Sequence, residues 1–383
     1  MKVGIITHYY NSLNYGGNLQ AYALCMFLNN HGYDAEQIAF DKSSIKSINP
    51  RNIKGNLFRI YVSAINAKKK ILHPKITKAL RIRETSILSF NQNVIPHSPI
   101  VYNEPSLEKA ADIYDAYITG SDQVWHPSAY CRAYRLDFVP SSKIKLSYAA
   151  SIAKDYLTEE QLAIFKESLA DYTAISVREQ SAINILKPIT KLPIELTLDP
   201  TLLLNREDWD RLATPRIVSQ PYLFCYFLGN DIAARNLAKE YAKRHNLKVV
   251  TLPYLTGTFR KCDKKFGDEQ LFKISPADFI SLIKYADCVF TDSFHATIFS
   301  GIYQREYVVF ERAAATSMSS RIYSLTWLLE TQERFCDIEK KLTVSYIESL
   351  PPIDYSRKLE RFDRIKEASV KFLLDNLSKA ENN

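Results

Sequence analysis

The sequence predicts an α/β protein built from two doubly wound domains. Short apolar runs that suit buried strands alternate with segments whose apolar residues recur at helical spacing, the order expected when helices cover a parallel sheet. This alternation starts at the first residues and starts again near residue 220. The 383 residues also exceed what one hydrophobic core usually organises, which favours two domains over one.

In the first domain, each predicted strand is an apolar run that ends in small or polar residues. The first strand leads through a loop with two glycines into a helix that ends at Gly32, a typical C-terminal cap. We expect the domain to close at Asp199-Pro200 and to span residues 1–205. Its predicted strand runs are KVGIITHYY (2–10), AEQIAF (35–40), YDAYITGSD (114–122), KIKLSYAASI (143–152) and YTAISVRE (172–179).

A second α/β series is predicted over residues 206–354. A helix from about Ala233 to His245 follows its first strand, and Ser275 with Pro276 forms a typical helix start. The segment 355–383 is predicted to be a long amphipathic helix, roughly Tyr355 to Leu377. The strand runs of the second series are PYLFCYFLGN (221–230), LKVVTLP (247–253), ADCVFTD (286–292) and EYVVF (306–310), with the short helix FHATIFSGI (294–302) between the last two.

Composition excludes several classes of protein and site. No apolar stretch reaches about 18 residues, so no membrane-spanning helix is expected, and the first residues lack the features of a signal peptide. The six cysteines form no C-x-x-C pair, which favours a reduced, cytoplasmic protein with buried thiols over a disulfide framework. The seven histidines show no H-x-x-x-H or H-E-x-x-H spacing, so no metal site is expected.

Positive charge is concentrated in one basic segment, residues 42–83. It contains twelve Lys or Arg and no Asp or Glu, whereas the rest of the chain is slightly acidic. One interpretation is a solvated helical excursion. The other is a surface for an anionic partner, such as a lipid headgroup, a lipid diphosphate or a phosphorylated substrate. Nucleic acid is not expected as a partner, because no recognition motif accompanies the charge.

Ligand-binding residues are expected in loops that follow strands, because ligands of doubly wound folds bind at the carboxyl ends of strands. The chain has no G-x-G-x-x-G and no G-x-x-x-x-G-K-[ST], so dinucleotide binding and Walker-type ATP binding lose most of their support. Four other strand-end stretches remain as candidates: NYGGN (14–18), TGSDQVW (119–125), SVRE (176–179) and TDSFHA (291–296).

The two candidate stretches nearest the N-terminus are each open to two interpretations. Gly16 and Gly17 can let backbone N–H groups approach an anion at the start of a helix, or they can form a tight turn. Asp122 lies close in sequence to the aromatic ring of Trp125, an arrangement that suits a sugar whose hydroxyl gives a proton to the carboxylate. The alternative is a hydrogen-bonded turn with Trp125 in the core.

The other two stretches supply an arginine and a histidine. Arg178 presents a planar fork that matches a carboxylate or phosphate, or it pairs with an acid such as Glu179 or Asp199. His295 stands at the N-terminal end of a short helix, where it can bind an anion and donate a proton. The alternative is a structural histidine in the core.

In their order along the chain, six stretches resemble the polysaccharide pyruvyl transferase family: NYGGNLQAYAL, ITGSDQVWHP, LSYAASI, SVRE, LDPTLLL and TDSFHATIFS. The resemblance runs from the first strand to about residue 310 and continues to SSRIYSLTWLL at 319–329. It implies two Rossmann-like domains in a GT-B-like arrangement with an interdomain cleft. It also implies transfer of the enolpyruvyl unit of phosphoenolpyruvate (PEP) to a sugar, usually as a pyruvate ketal across two hydroxyls.

The resemblance also implies roles for residues. Some members carry Arg-Leu-His where this chain has Ser293-Phe294-His295, so Arg178 and Arg321 are implied to supply the charge that the missing arginine would bring. His295 is implied to be the general acid or a phosphate ligand, Arg178 to bind PEP, and Asp122 to be a base or sugar anchor. The implied PEP-binding residues are Arg178, Ser293, Phe294, His295 and Arg321; the implied acceptor-binding residues are Asn14, Tyr15, Gly16, Gly17, Asn18, Ser121, Gln123 and Trp125.

PEP is implied as a co-substrate, and no cofactor or metal is implied beside it. The implied acceptor is a sugar, commonly galactose bridged at its 4- and 6-hydroxyls, in a lipid-diphosphate-linked precursor of a capsular polysaccharide or exopolysaccharide. Such precursors are assembled at the inner face of the bacterial membrane. We therefore expect a cytoplasmic protein that can approach an anionic membrane through residues 42–83.

Two other functions remain open. A nucleotide-sugar-dependent glycosyltransferase with the same two-domain GT-B fold would need a nucleotide pocket in the second domain, and the sequence has no convincing signature for one. A glycan-binding protein without enzymatic activity would not need a histidine and an arginine at two strand ends.

Overall fold

The part of the chain that the structure describes folds into two sheets of six parallel strands each, with helices on their faces. A computed structural model describes residues 1–44, 74–127, 131–254, 260–312, 318–337 and 342–379. The two doubly wound units, in a GT-B-like arrangement, confirm the fold class predicted from the sequence.

The first sheet takes its strands from the N-terminal half of the chain. They are β1 (Lys2–Ile6), β2 (Asp34–Gln37), β3 (Ala116–Thr119), β4 (Ile144–Ala150), β5 (Ala174–Val177) and β6 (Ile194–Leu196). Side by side they lie in the order β2-β1-β3-β4-β5-β6. The central strand β3 is buried along its whole length, as expected for a parallel sheet covered on both faces. Its helices are α1 (Tyr15–Asn30), α2 (Pro74–Asn93), α3 (Glu159–Ser168) and α4 (Gln180–Leu186).

The second sheet takes its strands from the C-terminal half. They are β7 (Tyr222–Tyr226), β8 (Lys248–Thr251), β9 (Glu269–Gln270), β10 (Cys288–Thr291), β11 (Glu306–Phe310) and β12 (Phe335–Cys336), arranged in the order β12-β11-β10-β7-β8-β9. The predicted domain boundary, between residues 205 and 206, falls between β6 and β7. The helices of this half are α5 (Arg206–Leu212), α6 (Ile232–Arg244), α7 (Pro276–Lys284), α8 (Phe294–Ile302), α9 (Met318–Leu328), α10 (Val344–Ser349) and α11 (Glu360–Ser378).

Helix starts follow the capping chemistry that the sequence predicts in the second half. Ser275 caps α7, and the side chains of Ser275 and Asp278 each accept from the other's backbone N–H in a capping box. The observed bounds of α8 and β11 match the predicted runs at 294–302 and 306–310.

Two helix boundaries differ from the prediction. Helix α1 begins at Tyr15, because the Asn14 side chain accepts from the Gly17 N–H and caps the helix there; the two glycines therefore lie in its first turn and not in a loop. The last helix begins at Glu360 and not near Tyr355. The Asp354 carboxylate accepts from the backbone N–H and hydroxyl of Ser356, a local turn that competes with helix formation.

The C-terminal helix α11 packs back onto the first domain. The Ser369 hydroxyl accepts from the Leu198 N–H at 2.9 Å, and the rings of Phe372 and Tyr148 lie 6.5 Å apart. Leu373 and Leu377 are fully buried on the same helix face. The helix therefore contributes to the core beneath the first sheet, although it follows the second sheet in sequence.

Helix α1 of the first domain packs against α7 and α8 of the second. Tyr15 stacks on Phe279 with ring centres 4.9 Å apart, and its hydroxyl donates to the Ile274 carbonyl. Trp209, just after the first domain, packs edge-on against Phe299 at 4.8 Å. One continuous hydrophobic cluster thus includes buried residues of both domains, which fixes how their strand ends meet.

The basic segment is described only at its two ends, because residues 45–73 lie outside the described part of the chain. Its last arginine is not a surface cation. Arg83 is buried in α2, and its guanidinium donates to the carbonyls of Pro253 and Leu271 in the second domain. Counting Arg83 among the charges available to an anionic partner was therefore wrong; it serves the contact between domains.

The cysteines are free thiols, and all but Cys262 are buried, which confirms the prediction of buried thiols. Burial raises the pKa of both Cys25 and Cys288 to about 12, so these thiols stay protonated at neutral pH. Among the helices of the described residues, none combines the length and the apolar character that crossing a membrane requires.

Truncation of the C-terminal helix core should destabilise the protein. We expect Leu373→Ala to lower the free energy of unfolding by about 2–5 kcal/mol, because the side chain is fully buried. Urea unfolding followed by circular dichroism measures the change. Lys371→Ala, on the exposed face of the same helix, should stay within about 0.5 kcal/mol of the unsubstituted chain. Equal stability of the two variants would contradict the packing of α11.

Candidate active site

Residues that follow strands of both sheets meet at one buried carboxylate, Asp199. Arg178, directly after β5, donates from Nη1 to Asp199 Oδ2 at 2.6 Å. His295, in the first turn of α8 after β10, places Nε2 3.5 Å from the same oxygen. The arginine of the first domain and the histidine of the second, both predicted from the strand-end pattern, therefore converge across the domain boundary.

Hydrogen bonds to both carboxylate oxygens fix the side chain of Asp199. Its Oδ1 accepts from the backbone N–H and hydroxyl of Thr201 at 3.1 and 2.7 Å, and the Ser121 hydroxyl lies 3.4 Å from Oδ2. Burial alone would raise the pKa of this carboxyl, but His295 and Arg178 outweigh burial and hold the pKa of Asp199 well below its usual range. Asp199 is therefore an ionised, fixed anchor for both neighbours.

Arg178 has hydrogen-bond donors that its contact with Asp199 does not use. Its guanidinium lies 4.6 Å from the centre of the Phe294 ring, and Nη2 is 3.6 Å from a carboxylate oxygen of Asp122. Burial lowers the pKa of a guanidinium, but Asp199 and Asp122 outweigh it and raise the pKa of Arg178 above its usual value. Within the described residues, its Nε and Nη2 atoms are buried without a hydrogen-bond partner, so they can receive an anion.

Asp122 stands beside this cluster in a left-handed backbone conformation with φ of 63°. Its side chain is 14% exposed. Burial alone would raise its pKa, but Arg178 and His295 outweigh burial, so the pKa of Asp122 lies below its usual value. A carboxylate so stabilised accepts hydrogen bonds well but has little tendency to take up a proton.

Arg321, on α9, is the second buried cation of the site. With the Gln123 amide oriented so that its oxygen faces the guanidinium, that oxygen accepts from Nη1 and Nη2 at 3.0 and 2.7 Å. Burial and the nearby charge of Arg178 lower the pKa of Arg321 to about 10, so it remains protonated at neutral pH. Its Nε atom has no hydrogen-bond partner among the described residues.

Gly16 is required by the position of His295. A Cβ atom on Gly16 would lie 2.0 Å from His295 Nδ1, far inside van der Waals contact. The imidazole therefore lies flush against the first turn of α1. The glycine that the sequence offered as an anion-binding residue thus makes room for the histidine of the other domain.

A cavity of about 420 Å³, the first cavity, opens beside Arg178 and Arg321. Its wall is largely apolar and comes from both domains and from α11, with the two arginines and Asp199 among its polar residues. The other lining residues are Gln180, Leu196, Thr197, Leu198, Leu202, Phe294, Tyr323, Ser324, Leu325, Trp327, Leu328 and Ile365.

A second cavity of about 500 Å³ lies where α1 begins and is also shared by the two domains. Asn14 and Tyr15 line it from the first domain and Arg312 lines it from the second. His8 also lines it; its Nε2 is 3.1 Å from the Gln123 carbonyl, and burial lowers the pKa of His8 to about 4. His8 is therefore neutral at physiological pH.

Several residues proposed for the acceptor have structural roles instead. Trp125 is buried and donates from its indole to the Tyr134 carbonyl, so its ring cannot stack on a sugar. This corrects the expectation for Trp125 in favour of its core alternative. Tyr15, Asn18 and Ser121 are also buried, and each side chain hydrogen-bonds to protein partners. Asn14 is exposed, and Ser293 caps α8 by accepting from the Ala296 N–H.

The predicted alternative for Arg178, an ion pair with Asp199, is present in the structure beside the unpaired donors. From the sequence, Asp199 was expected to have no role at the site beyond this pairing. Its signal was nevertheless present, because LDP places a carboxylate directly after a strand, as in the four stretches that were selected. The lining of the first cavity by α9 could not be found this way, because helix residues follow no strand end.

Removal of the Asp199 charge should destabilise the chain in a pH-dependent way. We expect Asp199→Asn to lower the free energy of unfolding at pH 7 by about 3–5 kcal/mol, because Arg178 loses its buried partner. A carboxyl whose folded pKa is depressed stabilises the fold above its unfolded pKa of about 4, and that stabilisation is lost as pH falls towards the folded value. The difference between the two proteins should therefore shrink below about pH 4.

Urea unfolding at pH 7 and pH 3 measures this difference. Glu240→Gln, which breaks the exposed pair with Arg244, is the matched control and should cost under about 0.5 kcal/mol. A variant difference that is as large at pH 3 as at pH 7 would contradict the ionised state of Asp199.

Solved structures with a similar fold include three UDP-N-acetylglucosamine 2-epimerases. The one from Rickettsia bellii is 9% identical with a TM-score of 0.52, and the match covers 100% of this chain and 97% of that one. The one from Neisseria meningitidis, bound to UDP-GlcNAc, is 12% identical with a TM-score of 0.51 and coverages of 99% and 100%. The one from Methanocaldococcus jannaschii is 12% identical with a TM-score of 0.52 and coverages of 97% and 99%. At such identities the likeness concerns the fold alone.

A comparison with curated proteins gave no significant match. The sequence model of the polysaccharide pyruvyl transferase family matches residues 14–312, most of the chain. The matched range contains Arg178, Asp199 and His295 together with Gly16 and Asp122, and it ends before Arg321. The chain therefore belongs to the polysaccharide pyruvyl transferase family.

Proposed function

We propose that this transferase moves pyruvate from PEP to two hydroxyls of a sugar, forming a cyclic ketal. The observation that carries the proposal is that Arg178 and Arg321 line one interdomain cavity, and that His295 meets Arg178 at Asp199 beside it, with buried donors left unpaired among the described residues. PEP has a carboxylate and a phosphate on one small frame. Two arginines beside a histidine match that pattern of charge.

The two buried arginines leave hydrogen-bond donors for an anionic substrate. Arg178 pairs with Asp199 and lies 3.6 Å from Asp122, and the charge of Asp122 also acts on the buried guanidinium of Arg321. The donors of both arginines that have no partner among the described residues can receive the carboxylate or the phosphate of PEP.

The proposed reaction has balanced steps. His295 gives a proton to the methylene carbon of PEP, and C2 becomes an oxocarbenium-like electrophile. A sugar hydroxyl attacks C2 and returns its proton to the imidazole. The bond from C2 to the phosphate oxygen then breaks, a second hydroxyl attacks C2, and the departing phosphate takes the second proton. The products are a pyruvate ketal and inorganic phosphate.

The remaining predicted residues have different parts in this scheme. Phe294 packs against the Arg178 guanidinium and so fixes its orientation, and Ser293 caps the helix that begins with Phe294 and His295. Asp122, with its lowered pKa, is better suited to anchor sugar hydroxyls than to act as a base. Gln123 orients Arg321 through its amide oxygen.

We propose the acceptor as the sugar of a lipid-diphosphate-linked precursor of a capsular polysaccharide or exopolysaccharide, with galactose as the first candidate. The protein would act in the cytoplasm at the inner membrane face, where residues 42–83 could approach anionic lipid. The concentration of positive charge in that segment supports this proposal. Arg83 is excluded from that role, because it is buried between the domains.

One contact counts against the alternative of a nucleotide-sugar glycosyltransferase. In a parallel sheet, phosphate groups bind to backbone N–H groups at strand ends. After β7, the N–H groups of Leu228 and Gly229 both donate to the Asp292 carboxylate at 2.6 Å. A nucleotide phosphate at this strand end would have to displace that carboxylate.

Product analysis tests the proposed reaction. The purified chain is incubated with a galactoside acceptor and either PEP or UDP-sugars, and phosphate release and ketal formation are followed by ³¹P and ¹H NMR. We expect release from PEP with formation of the ketal. His295→Ala should lose about 10²–10⁴-fold in rate, the usual contribution of a general acid, and keep its fold.

Release from UDP-sugars alone would overturn the proposal. Wild-type rates in His295→Ala would assign His295 a structural role.

Gly16→Ala should act through His295 without touching substrate. The added Cβ, 2.0 Å from Nδ1, forces the imidazole away from its position, and a shift of about 1 Å can cost about 100-fold in rate. Initial rates of phosphate release measure the effect. Gly301→Ala, on the helix that carries His295, is the matched control, because its Cβ would meet nothing nearer than 3.4 Å. Equal rates for the two variants would show that the Gly16 contact does not position the histidine.

A further inference from the structure

Two exposed aromatic side chains line the first cavity from α9. Tyr323 is 54% exposed and Trp327 is 38% exposed, whereas most aromatic residues that the structure describes are buried or half-buried. They stand four residues apart on a helix, so their rings lie on one face. Both line the cavity whose wall also contains Arg178 and Arg321.

We propose that Tyr323 and Trp327 form the subsite for the sugar ring of the acceptor. The inference rests on the proposed function, because it assigns the second substrate to a position beside the proposed PEP site. A sugar has an apolar face of C–H groups and a rim of hydroxyls. An aromatic wall next to polar groups receives both parts at once.

Reaction geometry places the acceptor in this cavity. The attacking hydroxyl must come within about 3–3.5 Å of C2 of PEP before the bond forms. If the arginines hold PEP, the acceptor has to share the same enclosed space. About 420 Å³ is within the range of small-molecule sites and leaves room for a sugar ring beside PEP.

The contacts around Tyr323 and Trp327 suit the binding of a sugar ring. The Arg361 guanidinium lies 3.6 Å from the centre of the Trp327 ring, and its Nη1 donates to the Trp327 carbonyl at 2.8 Å. This contact covers one ring face and fixes the indole. Gln180, at the start of α4, lines the same cavity and brings an amide to the rim. Trp125, the aromatic residue that the sequence suggested for this role, is buried elsewhere.

The apolar wall could also receive an isoprenoid chain, which is a different ligand. The requirement that a hydroxyl reach C2 favours the sugar, since the lipid part carries no reacting group. Leu198 and Leu202 also line the cavity and are almost fully buried, so they close part of its wall.

Tryptophan fluorescence tests the subsite without relying on turnover. The chain has three tryptophans, and Trp125 and Trp209 are buried, so acrylamide should quench mainly Trp327. Methyl glycosides of galactose, glucose, mannose and N-acetylglucosamine are titrated onto the full chain in the presence of PEP. We expect at least one of them to protect Trp327 from acrylamide in a saturable way. Protection by none of them overturns the proposal, as does protection by farnesyl phosphate alone.

Substitutions of Tyr323 give the second readout. Tyr323→Ala should raise the concentration of glycoside for half-protection, and the acceptor KM, at least fivefold, with the KM for PEP unchanged. Tyr323→Phe keeps the ring and should bind as the unsubstituted chain does. Tyr346→Ala, at an exposed tyrosine on α10 that does not line the cavity, is the control.

Unchanged glycoside binding in Tyr323→Ala overturns the subsite. The two readouts separate failure of the subsite from failure of the proposed function. Glycoside protection without any turnover of PEP would contradict the reaction and leave the subsite standing. Turnover of PEP with an unaltered acceptor KM in Tyr323→Ala would support the reaction and contradict the subsite.

Discussion

The carboxylate of Asp199 is the contact on which the rest of the site depends. It is buried and ionised, and it holds an arginine from one domain and a histidine from the other within 2.6 and 3.5 Å. A buried charge of this kind is costly unless its partners are fixed. The packing of α1 against α7 and α8 fixes these partners. The interdomain core and the geometry of the site therefore depend on the same contacts.

That shared dependence explains why a glycine stands where the first turn of α1 meets the second domain. His295 can approach Asp199 only because Gly16 leaves space in the first turn of α1. The helix in turn starts there because Asn14 caps it. Asn14 and Gly16 therefore act together with a histidine from the other domain, and two helix starts position the imidazole.

Much of the fold and part of the site follow from the sequence. Alternating strand and helix patterns predict both sheets, and the strand-end rule selects Arg178 and His295, since parallel strands bring their carboxyl ends to one edge. The same rule misjudged Trp125, because a strand-end position does not tell whether an aromatic ring points into the core. Tyr323 and Trp327 were missed as cavity residues, because only tertiary packing brings their helix to the cavity.

A structure of the chain with bound PEP would show whether Arg178, Arg321 and His295 form the PEP site. We expect the phosphate and carboxylate of PEP within hydrogen-bond distance of Arg178 and Arg321, and its methylene carbon facing Nε2 of His295. The Asp199 contacts should remain in place. PEP bound in the second cavity against Arg312, with Arg178 untouched, would contradict this expectation.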